Sequence, residues 1–203
     1  MIAILQQSLR RLRYGEPIIV VSGLPRTGTS MMMQMLAAGG VEPVTDSLRA
    51  PDHDNPEGYL EYEPVKDLEH ATDKAWLHDA RGRAVKIIAF LLEHLPETHN
   101  YKVVFMNRKL DEVLVSQSTM LDRRGEADET EDARMRQLYI NHLARTKTML
   151  SHRPHFEVHH VRYPEVIRDP RGNARNVSRF LGGGLDVDAM SAVVNPELYR
   201  NRF

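Results

Sequence analysis

The sequence predicts an α/β fold in which a central parallel sheet lies between two layers of helices, a three-layer α/β/α arrangement. Pro17 to Ser22 is an unbroken β-branched run bounded by turn residues, which is typical of a strand buried on both faces. A glycine-containing turn and a helix-like stretch follow that strand directly. Strand-like and helix-like stretches then alternate to the end of the chain, which favours right-handed βαβ units. The length of 203 residues predicts a single domain, residues 1–203.

Local punctuation sets the limits of the predicted elements. Gly15 and Pro17 end a first helix, Gly39 and Gly40 end a second, and the glycines at 182–184 end the last. Helices are predicted over residues 2–13, 28–38, 61–80, 110–123, 130–151 and 171–181. Strands are predicted over residues 17–22, 84–88, 101–106 and 156–161. Three prolines and Gly58 predict a loop over residues 41–58.

Composition excludes several classes of function. The 27 basic and 28 acidic residues leave a net charge of -1, so no general attraction to nucleic acid or anionic membrane is expected. The absence of cysteine excludes disulfides, thiolate catalysis and cysteine-ligated zinc. The ten histidines show no spacing typical of metal ligands, so no metal is expected. Arginines at 10, 11 and 13 follow the first apolar stretch, the reverse of a secretory signal, and no apolar run is long enough to span a membrane. We therefore expect a cytoplasmic protein whose anion site, if any, is local.

The segment from Ser22 to Ser30 has the composition of an anion-binding loop. Gly23 and Gly28 allow tight turns, so that backbone N–H groups and a helix N-terminus can point at one phosphate-like group. The spacing matches the nucleotide P-loop G-x-x-x-x-G-K-[ST], except that Thr29 replaces the lysine. Because kinases and NTPases need that lysine, ATP chemistry is disfavoured, and Arg26 offers a cation instead.

At this loop the sequence resembles sulfotransferases that use 3′-phosphoadenosine 5′-phosphosulfate (PAPS). Their phosphosulfate loop has the form P-[KR]-[ST]-G-[ST]-[ST], and Pro25 to Ser30 fit every position. The resemblance implies the P-loop NTPase-like sulfotransferase fold, PAPS as donor and 3′-phosphoadenosine 5′-phosphate as product, without a metal. It also implies that the 5′-phosphate and the sulfuryl group are held by Arg26, Thr27, Gly28, Thr29 and Ser30.

A second motif makes the resemblance more specific. In the family, the strand that carries the 3′-phosphate site ends in an arginine, and a serine follows eight residues later. Arg108 and Ser116 stand at that spacing after the predicted strand 101–106. A guanidinium at the end of a strand gives a charge-assisted fork, and a helix hydroxyl adds a donor. The pair is therefore expected to hold the 3′-phosphate.

Weaker matches extend the resemblance over about residues 17–202. The segment Arg162 to Pro170 resembles a family segment whose tyrosine contacts adenine, which makes Tyr163 a candidate. Arg200 and Arg202 resemble the C-terminal cations that reach the 3′-phosphate in cytosolic members. A packing role for Tyr163 and a solvated basic tail are the alternatives.

One departure concerns the catalytic base. Many cytosolic members carry K-x-H, and this chain keeps Lys86 but has Ile88 in place of the histidine. Other branches use an acidic base after the first helix. That segment holds the carboxylates Asp46, Asp52, Asp54, Glu57, Glu61 and Glu63. We rank Glu61 first, Asp46 second and Glu63 third as the base, with His53 or His78 next.

The sequence thus predicts sulfuryl transfer to a hydroxyl group of a small-molecule or glycan acceptor. Arg26 and Lys86 are expected to neutralise charge on the leaving group, as cations do in phosphoryl transfer. Residues 41–83 are the segment most suited to shape an acceptor pocket. Two alternatives stay open: a phosphotransferase with a degenerate P-loop, which would need magnesium, and a non-catalytic nucleotide-binding protein. The acceptor and the oligomeric state are not determined by the sequence.

Overall fold

The core of the protein is a parallel sheet of four strands. The computed structural model describes residues 2–46, 48, 58–124 and 132–199. Its strands are β1 (Ile18–Gly23), β2 (Ala84–Lys86), β3 (Tyr101–Asn107) and β4 (Phe156–Arg162). Their order across the sheet is β2-β1-β3-β4, and all pairs are parallel. The four predicted strands and their parallel arrangement are confirmed.

Helices connect the strands, as the alternating pattern predicts. They are α1 (Ile2–Tyr14), α2 (Thr29–Ala38), α3 (Trp76–Asp79), α4 (Leu110–Arg124), α5 (Asp132–His152), α6 (Tyr163–Arg168), α7 (Pro170–Leu181) and α8 (Val187–Ala192). Short 3₁₀ turns cover Glu63–Val65, Ala89–His94 and Pro196–Leu198. Gly182 caps α7 in the left-handed conformation at φ +116°, as its place after the last apolar residue predicts.

Two apolar cores lie on opposite faces of the sheet. On one face, alternate residues of β1 and β3 such as Val21 and Val104 pack with methionines of α2 and with α7 and α8. On the other face, Val20 and Val103 pack with the turn 89–94 and with Leu150 of α5. Because the strands are covered on both sides, their β-branched runs are continuous rather than alternating. The three-layer prediction is therefore confirmed.

The helix predicted over residues 61–80 is wrong. The segment contains only the 3₁₀ turn Glu63–Val65 and the four-residue α3. Pro64 favours a turn start and cannot donate a hydrogen bond, and the Asp73 carboxylate accepts from the Ala75 N–H at 2.8 Å, which forms a local turn. The apolar spacing reflects burial of residues such as Leu68 and Leu77 in the core, not a helical face.

The strand order reverses between β1 and β3. The chain leaves β1 into α2 on one face of the sheet, and it leaves β3 into α4, which packs beside α5 on the other face. In open parallel sheets the crevice at such a reversal, outside the carboxyl ends of the strands, is where ligands bind. The predicted phosphosulfate loop and Arg108 both lie at this crevice.

Candidate active site at the carboxyl edge of the sheet

The loop after β1 takes a backbone path that its glycines permit. Gly23 has φ +151°, and a Cβ there would lie 2.5 Å from Thr27 Oγ1 and 2.7 Å from the Met106 carbonyl oxygen. Gly28 has φ +92°, and a Cβ there would lie 2.3 Å from Tyr163 Cδ2. Arg26 also has a positive φ of 67°, which is uncommon for a residue with a side chain. The strained residue and the two glycines together curl the loop around one point.

Internal hydrogen bonds hold this loop and leave the start of α2 facing it. The buried Thr27 hydroxyl donates to the Leu24 carbonyl at 2.7 Å. Gly28, which has no side chain to cap the helix, is the N-cap of the ten-residue α2. The buried Ser22 hydroxyl has no hydrogen-bond partner among the described residues. The positive end of the helix dipole and its first amides therefore lie where an anion is predicted.

Lys86 joins the loop to the candidate base. It is the last residue of β2 and pairs with Val21 of β1, so its position follows from strand register. Its Nζ donates to Ser30 Oγ at 3.2 Å and to the Tyr59 carbonyl at 2.7 Å, and it pairs with Glu61 Oε1 at 3.0 Å. The Lys86 side chain is only 7% exposed. The structure thus brings together Lys86, Ser30 and Glu61, three of the residues singled out from the sequence.

A left-handed residue shapes the segment that contacts Lys86. Leu60 has φ +46°, although it is not glycine. The residues on either side of it, Tyr59 and Glu61, supply a carbonyl and a carboxylate to the same ammonium group. A residue held in this sparsely populated conformation is often found at functional sites.

The other candidate acids have different environments. Asp46 accepts hydrogen bonds from the Glu63 N–H at 2.6 Å and the Leu48 N–H at 3.1 Å, and these bonds hold the pKa of Asp46 below its usual value. Glu63 is exposed and pairs with Lys66 at 2.7 Å. Asp46 therefore ties two backbone segments together, and the lowered pKa makes it a weaker base than an ordinary aspartate. Ile88, at the position of the family histidine, is 36% exposed. Asp52, His53, Asp54 and Glu57 lie outside the described residues.

Arg108 lies in a buried polar cluster just after β3. Its Nε donates to Glu112 Oε2 at 2.9 Å, and its Nη1 donates to the Arg26 carbonyl at 3.1 Å. The rings of Tyr163 and Tyr199 lie 4.9 and 5.2 Å from its guanidinium carbon. The Arg108 and Glu112 side chains are 7% and 1% exposed.

The side chain of Arg26 reaches the same cluster. Its Nε donates to Ser116 Oγ at 3.1 Å, so the cation predicted for the sulfuryl group contacts a residue predicted for the 3′-phosphate. Tyr163, predicted to contact adenine, is 6% exposed and packs against Gly28 and the Tyr199 ring. Arg200 and Arg202 lie outside the described residues.

Sequence reasoning missed two members of this cluster. Glu112 stands four residues after Arg108, in the first turn of the helix predicted from residue 110, and a carboxylate so near an arginine in the chain could have identified the ion pair. Tyr199 carries no such signal, because its hydroxyl reaches Glu112 from 87 residues away.

The described residues contain neither a metal-binding cluster nor a membrane-spanning helix. Within that part of the chain, no three His, Asp or Glu side chains are grouped so as to hold a metal ion. Among the helices described, none combines the length and apolar character needed to cross a membrane.

Comparison with known proteins identifies the family. The chain is similar to a solved sulfotransferase from Mycobacterium tuberculosis H37Rv, with a TM-score of 0.54 and 16% identity over 98% of this chain and 79% of that one. It is also similar to a solved sulfotransferase from Alicyclobacillus acidocaldarius, with a TM-score of 0.51 and 19% identity over 90% of this chain and 88% of that one. A third similar structure is the sulfotransferase domain of the Synechococcus PCC 7002 olefin synthase, with a TM-score of 0.53 and 17% identity over 91% of this chain and 79% of that one. At these identities the likeness shows the fold. No curated protein matches the chain significantly. The model of the sulfotransferase domain, however, matches residues 16–199, nearly the whole chain, and the protein therefore belongs to the sulfotransferase domain family.

Proposed function

We propose that the protein transfers a sulfuryl group from PAPS to a hydroxyl group of a small-molecule or glycan acceptor, with Glu61 as general base. One observation carries the proposal. The Lys86 ammonium contacts both Ser30 of the phosphosulfate loop and the Glu61 carboxylate. A cation between an anion-binding loop and a carboxylate is suited to a reaction in which negative charge leaves on one side and a proton is removed on the other.

The loop fits an anionic group by its shape. At Gly23 and Gly28 even one added carbon would clash, so the backbone curls more tightly than a chain with side chains there permits. The N-terminus of α2 supplies donors at the same place. When bound, PAPS supplies a sulfuryl group joined to a phosphate that departs with the electron pair of the broken S–O bond.

The residues of the chain have separate tasks. The loop amides, the start of α2 and Lys86 stabilise the negative charge that develops at the leaving phosphate. Arg108 and Ser116 bind the 3′-phosphate, and Arg26 lies beside them. Glu61 Oε1 stays on Lys86, and Glu61 Oε2 takes the proton from the acceptor hydroxyl as its oxygen forms the new bond to sulfur.

The test is turnover of ³⁵S-labelled PAPS over a panel of phenols, sugars and aliphatic alcohols in the presence of EDTA. We expect label in at least one acceptor and stoichiometric release of 3′-phosphoadenosine 5′-phosphate. Calorimetry with the bisphosphate and with magnesium ATP runs alongside. Magnesium-dependent ATP binding without a response to the bisphosphate would favour a phosphotransferase, and bisphosphate binding with no turnover on any acceptor would favour a non-catalytic protein.

A further inference from the structure

A buried carboxylate links Arg108 to the C-terminal part of the described chain. Glu112 lies in the first turn of α4, four residues after Arg108, which precedes the helix, and it is 1% exposed. Its Oε2 accepts from Arg108 Nε at 2.9 Å and from the Tyr199 hydroxyl at 2.9 Å. Burying a carboxylate this deeply costs free energy unless it is paired and hydrogen-bonded, and these two contacts provide the pairing.

The surroundings of Arg108 fix the plane of its guanidinium. Tyr163 lies against it at 4.9 Å and Tyr199 at 5.2 Å, and the two rings meet nearly at right angles, at 86°. In the plane of the group, Nε donates to Glu112 Oε2 and Nη1 donates to the Arg26 carbonyl oxygen. Because the five N–H donors of arginine form a rigid planar fork, contacts at two points of the plane set the orientation of the whole group.

Tyr199 brings a distant segment to this place. The chain passes from α8, which packs on α2 and α7, through the turn Pro196–Leu198 to Tyr199, whose ring lies beside Arg108. Burial, and then the hydrogen bond to Glu112, raise the pKa of the Tyr199 hydroxyl. The hydroxyl therefore remains a proton donor to Glu112 across the neutral range.

Building on the proposed function, we infer that Glu112 and Tyr199 are positioning residues that aim Arg108 at the 3′-phosphate. Through Tyr199 the segment 193–199 becomes one wall of the nucleotide site. Binding of the 3′-phosphate is then expected to make segment 193–199 more ordered. The 3′-phosphate is the group that distinguishes PAPS from adenosine 5′-phosphosulfate.

The test measures selectivity instead of affinity alone. Calorimetry gives the dissociation constants of adenosine 3′,5′-bisphosphate and adenosine 5′-monophosphate for the wild type and for three variants: Glu112→Leu, Glu112→Gln and Tyr199→Phe. We expect the preference for the bisphosphate to fall about tenfold in Glu112→Leu and about threefold in Tyr199→Phe, the range of one lost hydrogen bond. Glu112→Gln keeps an acceptor oxygen and should retain most of the preference. Glu165→Gln, at an exposed ion pair with Arg162, and Tyr14→Phe, on α1, are the matched controls.

The outcomes separate the possible roles of the two residues. If the role were purely structural, the variants would weaken binding of both nucleotides equally. If it were purely electrostatic, both Glu112 variants would bind the bisphosphate more tightly. Either result overturns the inference. If Glu112→Leu does not fold, amide hydrogen exchange of the wild type and of Tyr199→Phe tests the inference instead. The bisphosphate should slow exchange of amides 193–199 more than the monophosphate does in the wild type, and this difference should shrink in Tyr199→Phe. Equal protection by the two nucleotides would overturn the inference. A wild type with no preference for the bisphosphate would instead contradict the proposed function itself.

Discussion

Glu61 and Glu63 are two residues apart in the chain, yet their carboxylates lie in different environments. Glu61 is 24% exposed and pairs with the buried Lys86, whereas Glu63 is 55% exposed and pairs with Lys66 at the surface. Tyr62 between them is extended and Glu63 begins a 3₁₀ turn, and the two carboxylates pair with different lysines. Their sequence spacing alone left open which of them faces the loop.

This difference makes a direct prediction for catalysis. Glu61→Gln keeps the shape of the side chain but removes the base, so turnover should fall by roughly 10²–10⁴-fold, while bisphosphate binding stays nearly unchanged. Single-turnover rates at saturating acceptor are the measurement, and Glu63→Gln is the matched control. Near-normal rates in Glu61→Gln would remove Glu61 as the base.

Arg108 makes a second prediction at this scale. Arg108→Ala should weaken binding of adenosine 3′,5′-bisphosphate by about 1.5–3 kcal/mol, the value of a hydrogen bond to a charged group. Binding of adenosine 5′-phosphosulfate should be unaffected. Because the substitution leaves Glu112 buried without its cation, Arg108→Lys, which keeps the charge but loses the fork, is the second variant. Calorimetry on both nucleotides checks the result. Equal weakening of both would show that Arg108 supports the fold or the adenine.

Among the elements, the loop between β1 and α2 depends on close packing at Gly28. In Gly28→Ala the new methyl would carry the strain of φ +92° and would also overlap Tyr163. We expect the free energy of unfolding to fall by about 2–5 kcal/mol, from backbone strain plus overpacking. Gly183→Ala has a similar φ of +86° but nothing within 4 Å, and should cost only about 1–2 kcal/mol. Urea unfolding measures both, and equal losses would show that contact with Tyr163 adds nothing.

The whole molecule responds to acid through histidines that folding desolvates, of which His155 is the most buried. Burial lowers the pKa of His99, His142, His159 and His160, and lowers that of His155 to about 4, with the charges of Arg10 and Arg153 adding to the effect and Glu97 opposing it. His155 is 2% exposed, and neither ring nitrogen has a hydrogen-bond partner among the described residues. The unfolded chain takes up a proton near pH 6.5 and the folded chain does so only near pH 4. The contribution of His155 to the free energy of unfolding is therefore fully present above pH 6.5 and is lost as the pH falls toward 4.

Urea unfolding at several pH values from 7.5 to 4.5 tests this expectation. His155 alone should account for a loss of up to about 3 kcal/mol over the window. His155→Leu should flatten the decline relative to wild type, and His70→Asn, at an exposed position, is the matched control. The same decline in His155→Leu as in wild type would exclude His155 as its source.

Local patterns in the sequence determined the four strands, the glycine loop and the spacing from Arg108 to Ser116. Each of these depends on residues close together in the chain, whose propensities and turn chemistry act without the rest of the molecule. The pattern misled over residues 61–80, because burial in an irregular segment spaces apolar residues much as an amphipathic helix does. Only the tertiary structure decided that Glu61 lies beside Lys86, that Asp46 accepts from backbone N–H groups, and that Tyr199 reaches Glu112. These contacts join segments up to 87 residues apart, and their partners are chosen by the strand order and by the packing of helices on the sheet, which no local spacing encodes.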